Sequence, residues 1–280
     1  MTRPPRKYLL VAVVAVLAVL GGLVAPWALG LGSNTSAKDR IGAEPPPTLF
    51  TSAQTATVDS LVQPARPQAR HLMRGWWADH GRTPHDKEFV TWLEAHFPAP
   101  PAAAARAKEL GEIQSLAAQR TDPGIASATW LEAYGKKDVW KLYAHDQAEL
   151  LPAAQGDARK QDLNDLLHLS KQVADDLGTR FQQSAPYVLD PSLRPDHTVA
   201  AGDVCPCSYP SRHASAAAAS RTFLGALAPT RTADYRWMED EIDYSRLYMA
   251  GHVPSDISGG SLLGDLIGEY FLVTRGLSTT

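Results

Sequence analysis

From Leu163 to Leu177 the chain reads LNDLLHLSKQVADDL, which places Leu163, Leu166, Leu167, Val173, Ala174 and Leu177 on one face of a 3.6-residue repeat. This amphipathic stripe demands a helix, and neighbouring segments repeat the demand. Upstream, Thr83-Pro84 is a cap and first-turn pair. Phe89, Trp92, Leu93 and His96 follow at i, i+3, i+4 and i+7 before Pro98, Pro100 and Pro101 stop the run. Ala102–Arg120 is rich in helix formers, Asp122-Pro123-Gly124 interrupts, and a further helical stretch surrounds Trp130. Downstream, Ser211–Leu227, Ala233–Ala250 and Ser255–Val273 read the same way. No segment alternates apolar and polar residues as a half-buried strand does. The expectation is an all-α fold, a compact multi-helix bundle of roughly seven helices.

The 280 residues are 44% apolar and 20% charged, which excludes a wholly disordered chain. A net charge of -3 and a pI near 6.3 argue against a nucleic-acid binder that relies on a basic face. Two cysteines exclude a disulfide-dense scaffold and a four-cysteine zinc ribbon. The charge is uneven. Residues 1–30 hold Arg3, Arg6 and Lys7 and no acid, followed by an uncharged run from Tyr8 to Gly30 that exceeds a secretory apolar region and matches a bilayer span. Residues 1–30 are therefore expected to be a signal-anchor helix in the cell membrane. The basic end faces the cytoplasm and the remainder lies outside, with secretion after cleavage near Ala28 and Gly30 as the alternative. Residues 31–70, with Pro45, Pro46, Pro47, Pro64 and Pro67, read as an extracytoplasmic spacer. Residues 71–96 read as a helical extension, and 97–275 as the working domain.

Most histidines stand at no telling spacing, but two do. Pro210-Ser211-Arg212-His213 leads into an alanine-rich helix whose first-turn N–H groups are suited to an anion, with His213 beside them. Further on, Ser245-Arg246 is followed by His252 and then Asp256. Gly251 and Pro254 mark a helix end and a new start, so Arg246 and His252 converge. Asp256, one turn past His252, is placed to accept from the imidazole and fix its tautomer.

Pro-Ser-x-His followed by Ser-Arg-x5-His-x3-Asp resembles the second and third motifs of the type-2 phosphatidic acid phosphatase and vanadium haloperoxidase superfamily. The chain is most similar to its soluble class A acid phosphatases. Gly259, Gly260 and Gly264 resemble that family's small-residue final helix, and Phe97–Pro101 with Arg120-Thr121 its proline-rich opening. The resemblance spans residues 97–273. It implies a metal-independent, cofactor-free phosphatase acting on phosphomonoesters or lipid phosphates. His252 would be the nucleophile, oriented by Asp256, and His213 the acid for the leaving oxygen. Arg246 with the backbone around Ser211 and Arg212 would hold the phosphate.

The first motif departs from that pattern. The family places a lysine, then an arginine seven residues later followed by proline. With its proline on Pro186, Gly178 and Ala185 stand in place of the two cations, and Arg212 replaces a glycine of the second motif. Arg180 and Arg212 are the candidates to restore the charge, with Lys171, about two helical turns earlier, ranked after them. A relative that binds a phosphorylated ligand without fast turnover is the alternative. A metal site built from Cys205, Cys207, His213, His252 and Asp256 is a third reading.

Overall fold

The computed structural model describes residues 36–195 and 207–277. The chain divides at residue 43, and the first unit contributes one described helix, α1 (Ala37–Ala43). Among the described residues, the second unit contains eleven α-helices and no strand. They are α2 (Ser52–Val62), α3 (Ala65–His80), α4 (Asp86–His96), α5 (Ala103–Ala117), α6 (Asp122–Tyr134), α7 (Asp138–Ala148), α8 (Ala153–Phe181), the single turn α9 (Pro186–Leu189), α10 (Arg212–Leu227), α11 (Thr232–Tyr248) and α12 (Pro254–Thr274). The all-α expectation holds. The signal-anchor segment lies outside the described residues, among which no helix is long and apolar enough to cross a membrane.

Residues 52–70 are not the extended spacer that their prolines suggest. Pro64 and Pro67 sit at the cap and in the first turn of α3, where a missing N–H costs nothing. Val58 and Val62 of α2 and Ala65, Ala69, Met73 and Trp76 of α3 are buried, and both helices pack on α12. Residues 71–96 are largely helical, as expected, and pack on Tyr270 of α12. Phe89 stacks on Tyr270 of α12 at 4.0 Å between centroids, and Trp77 stacks on the same ring. The Tyr270 hydroxyl donates to Asp86 at 2.6 Å and accepts from the His85 N–H at 2.7 Å. Helices α2, α3 and α7 and the single turn α9 raise the count in the second unit above the expected seven.

The centre is the pair α10 and α12. A Cβ on Gly260 would lie 2.5 Å from the Ser211 carbonyl and 2.6 Å from Ala214 Cβ, and one on Gly268 would lie 2.8 Å from Thr222. Only glycine permits this approach, so α10 and α12 meet backbone to backbone along an alanine-on-glycine seam. The consequence is functional: the seam brings the N-terminus of α10 beside the start of α12. Further along, Arg221 of α10 bridges Glu239 of α11 at 2.7 Å and Asp265 of α12 at 3.0 Å, all three buried.

Candidate active site

Ser211 caps α10. Its hydroxyl accepts from the Ala214 N–H at 3.3 Å, and its own N–H donates to the Asp256 carbonyl at 2.9 Å, tying the two helix starts together. The N–H groups of Arg212 and His213, in the first turn, have no intrahelical acceptor and are available to an anion.

His252 enters from the turn after α11. That helix ends at Tyr248, and Ala250, two residues on, has a left-handed φ of 55° that turns the chain toward α12. His252 Nδ1 lies 2.9 Å from the Ser208 carbonyl oxygen, which only accepts, so Nδ1 carries a proton and Nε2 is the nitrogen that holds the lone pair in the neutral ring. Asp256 does not make this bond. Its Oδ2 is 3.7 Å from Nδ1 and instead accepts the Val253 N–H at 3.0 Å, as the first residues of α12 require of an acid there. Its Oδ1 accepts from Arg106 of α5 at 2.7 Å. Burial pushes the Asp256 carboxyl upward, but His252 and Arg106 outweigh it and hold the group below the usual carboxylate range. Asp256 therefore gives His252 a fixed negative charge, and the Ser208 carbonyl fixes its tautomer. Arg106 also donates to the Ser208 hydroxyl at 3.2 Å, and Glu109 accepts from the Ser255 N–H and hydroxyl at 3.0 and 2.7 Å. Arg106 thus bonds both the carboxylate near the imidazole and the hydroxyl of the residue whose carbonyl faces it, while Glu109 holds the start of α12.

The cations gather on Glu132 of α6. Arg246, on the last turn of α11 and almost fully buried, lies 3.3 Å from its carboxylate, and buried Arg194 lies 3.4 Å away. These contacts are looser than the 2.7–2.9 Å of a well-formed charged pair. Arg194 Nε is buried with no hydrogen-bond partner, and its guanidinium sits 5.7 Å over the Tyr187 ring. His213 Nε2 lies 3.1 Å from the Glu132 main-chain carbonyl and donates to it. Burial, then the charge of Arg246, press the His213 pKa well below the ordinary value, so the ring is neutral near pH 7. Lys136, half-buried in the turn after α6, lies within the field of Arg246, Glu132 and Arg212.

His213, Arg246, His252, Asp256 and Ser211 therefore come together. The two first-ranked replacement cations fare differently. Arg180 is exposed and lies over the Phe181 ring, away from this cluster. Arg212 is half-exposed at the edge of the site and pairs with Asp175 at 3.2 Å. The cations that do approach are Arg194 and Lys136, with Arg106 behind Asp256. Arg194 had a signal, an arginine directly before Pro195 just past Ala185, as in the family's first motif. Arg106 and Glu132 had none, since each meets the site across more than 60 residues of chain. The metal reading loses a ligand, because Cys207 is disulfide-bonded and its sulfur is no thiolate. Cys205 lies outside the described residues. Among those described, no group of three or more His, Cys, Asp or Glu side chains is placed to hold a metal ion. No protein-family model matches the chain, and no curated protein sequence does.

Proposed function

We propose that this chain is a phosphatase of the type-2 phosphatidic acid phosphatase kind. It would hydrolyse phosphomonoesters or lipid phosphates through a phosphohistidine on His252, outside the cytoplasm and tethered by residues 1–30. The observation that carries the reading is the imidazole of His252, with its Nδ1 proton committed to the Ser208 carbonyl and its Nε2 lone pair free, beside two buried arginines that share one carboxylate. A neutral imidazole with a fixed tautomer is a competent nucleophile, and excess positive charge is what a phosphoryl group's oxygens require.

In the proposed reaction Nε2 attacks phosphorus as the ester P–O bond breaks, and the departing alkoxide takes a proton from His213. Water then attacks the phosphohistidine, giving its proton to the base that His213 has become, and releases inorganic phosphate and free His252. His213 must first gain a proton. A bound phosphate dianion supports that gain, because it offsets the Arg246 charge that disfavours imidazolium in the empty site. Arg194 and Arg246 would hold the equatorial oxygens together with the first-turn N–H groups of α10.

The full-length protein is expected to hydrolyse p-nitrophenyl phosphate, and His252→Ala to lower that rate by at least about 100-fold. Acid-labile phosphate on His252, seen by mass spectrometry after rapid quenching, would identify the intermediate. Equal rates in the two proteins from pH 4 to 8 would overturn the reading. A second reading, phosphate binding without fast turnover, draws support from His213, whose proton is engaged by a carbonyl and whose charged form is disfavoured. Vanadate binding by a wild-type protein that shows no turnover would decide for it.

A further inference from the structure

Beside the site lies a cavity of about 440 Å³ whose lining is basic. Lys136 and Lys137 come from the turn between α6 and α7, Lys141 from α7, Lys171 from α8 and Arg212 from the first residue of α10. None of the lining residues is an acid. Asp175, at its edge, is shared between Lys171 at 2.8 Å and Arg212 at 3.2 Å. On a chain with net charge -3, five cations delivered to one depression by three helices and a turn are a local concentration, not a uniformly solvated face. Lys136 joins this groove to the cluster around Glu132, and Arg212 is the chain neighbour of His213. The groove thus opens alongside the position assigned to the reacting phosphate. Burial, then repulsion by Arg212, pull the Lys136 pKa down, so its charge is held at a cost that an anion would relieve.

We infer that this groove is a second phosphate subsite, so that the preferred substrates carry a further phosphate next to the one attacked, as in a phosphoanhydride chain or a lipid diphosphate. The assignment rests on the phosphatase reading for the first phosphate but not for the groove itself. Arg212 then has a use in place of the glycine of the family pattern: it stands between the two subsites and faces both phosphates.

The test is calorimetric titration of inorganic monophosphate and tripolyphosphate into full-length protein in the His252→Ala background, which prevents turnover. Tripolyphosphate is expected to bind at least about tenfold more tightly than monophosphate. Adding Lys137→Ala and Lys141→Ala should remove that preference to within about twofold and leave monophosphate affinity unchanged. Co-sedimentation with phosphatidylcholine vesicles carrying either a lipid monophosphate or a lipid diphosphate repeats the comparison at a membrane. A diphosphate preference only on vesicles assigns the ligand to lipid, and one only in solution assigns it to a soluble phosphoanhydride. Equal affinity for one and several phosphates in both formats overturns the subsite, as does a preference that survives the lysine substitutions. If monophosphate fails to bind while tripolyphosphate binds in a lysine-dependent manner, the groove stands and the phosphatase reading falls.

Discussion

Two arginine clusters lie on α11 and its neighbours, and their charge ratios are inverted. At Arg221 one guanidinium meets two buried carboxylates, Glu239 and Asp265, with Thr222 donating to Asp265 at 2.6 Å. At Glu132 one carboxylate, about one-third exposed, meets two guanidiniums at 3.3 and 3.4 Å. Burial opposes the charge of Arg221, yet Glu239 and Asp265 hold its pKa above the ordinary arginine value. Burial opposes Arg246 as well, and there Glu132 does not make up the difference, so its pKa falls. The first cluster is closed and serves the fold. The second is short of negative charge, open to solvent on the Glu132 side, and bordered by the free N–H groups of a helix start. The number of acids around a buried arginine thus decides whether its charge is fully compensated within the fold.

The largest expected effect breaks the closed cluster. Arg221→Met leaves Glu239 and Asp265 buried without their cation, and removing one partner of such a cluster costs about 3–5 kcal/mol. Urea unfolding should show that loss, while Arg246→Met, which removes a buried and under-compensated cation and leaves Glu132 paired to Arg194, should cost clearly less. Similar losses for the two variants would mean that the second cluster is also structural.

Asp243 sharpens the contrast because it lies in the field of both arginines and bonds to neither. It is buried, and neither carboxylate oxygen has a hydrogen-bond partner. Burial, then the charges of Glu239 and Asp240, raise its pKa well above 3.8. The folded protein therefore keeps this proton at pH values where the unfolded chain has lost it. That contribution to stability is complete below about pH 4 and is lost as pH rises through the folded value. Asp240 and Glu241 beside it, both raised to about 7 chiefly by burial, act in the same direction. Asp243→Asn should match wild type near pH 4 and exceed it by about 1–3 kcal/mol at pH 8, where the aspartate must ionise or retain its proton at a cost. Thermal melts at the two pH values measure this, with about 2–4 °C expected per kcal/mol for a chain of this size. A pH-independent difference between the two proteins would show that Asp243 is ionised and paired in solution.

How far the sequence reaches follows the same division between local and distant partners. Leu163–Leu177 and the glycines of α12 declare helices and a close seam because periodicity and residue size are local properties. Pro64 and Pro67 misled because proline at a helix start and proline in a spacer look alike until the next turns reveal a buried face. In the site, His213, Arg246, His252 and Asp256 were legible through spacing within two short segments. What holds them was not. The Ser208 carbonyl, Arg106 and Glu132 act through backbone direction or across long separations, neither of which a residue pattern records. Arg180 was the plausible near neighbour on α8, but the helix turns it toward the Phe181 ring and solvent.

The last prediction concerns Glu132, the residue that separates the two clusters most clearly. Its carboxylate lies between Arg194 and Arg246, and on the proposed reading it would be a substitute ligand that a phosphate has to displace. Glu132→Gln keeps the shape and the main-chain carbonyl that holds His213, and removes the charge. If the carboxylate is a competitor, phosphate and vanadate should bind about tenfold more tightly to the variant, equivalent to 1.4 kcal/mol. The gain should be greatest at low ionic strength, where the uncovered charge of the two arginines is least screened. The converse result is equally informative. Weaker binding would mean that Glu132 aligns the arginines for the ligand, and its third-exposed carboxylate would then be a hinge between them, not a stand-in for phosphate.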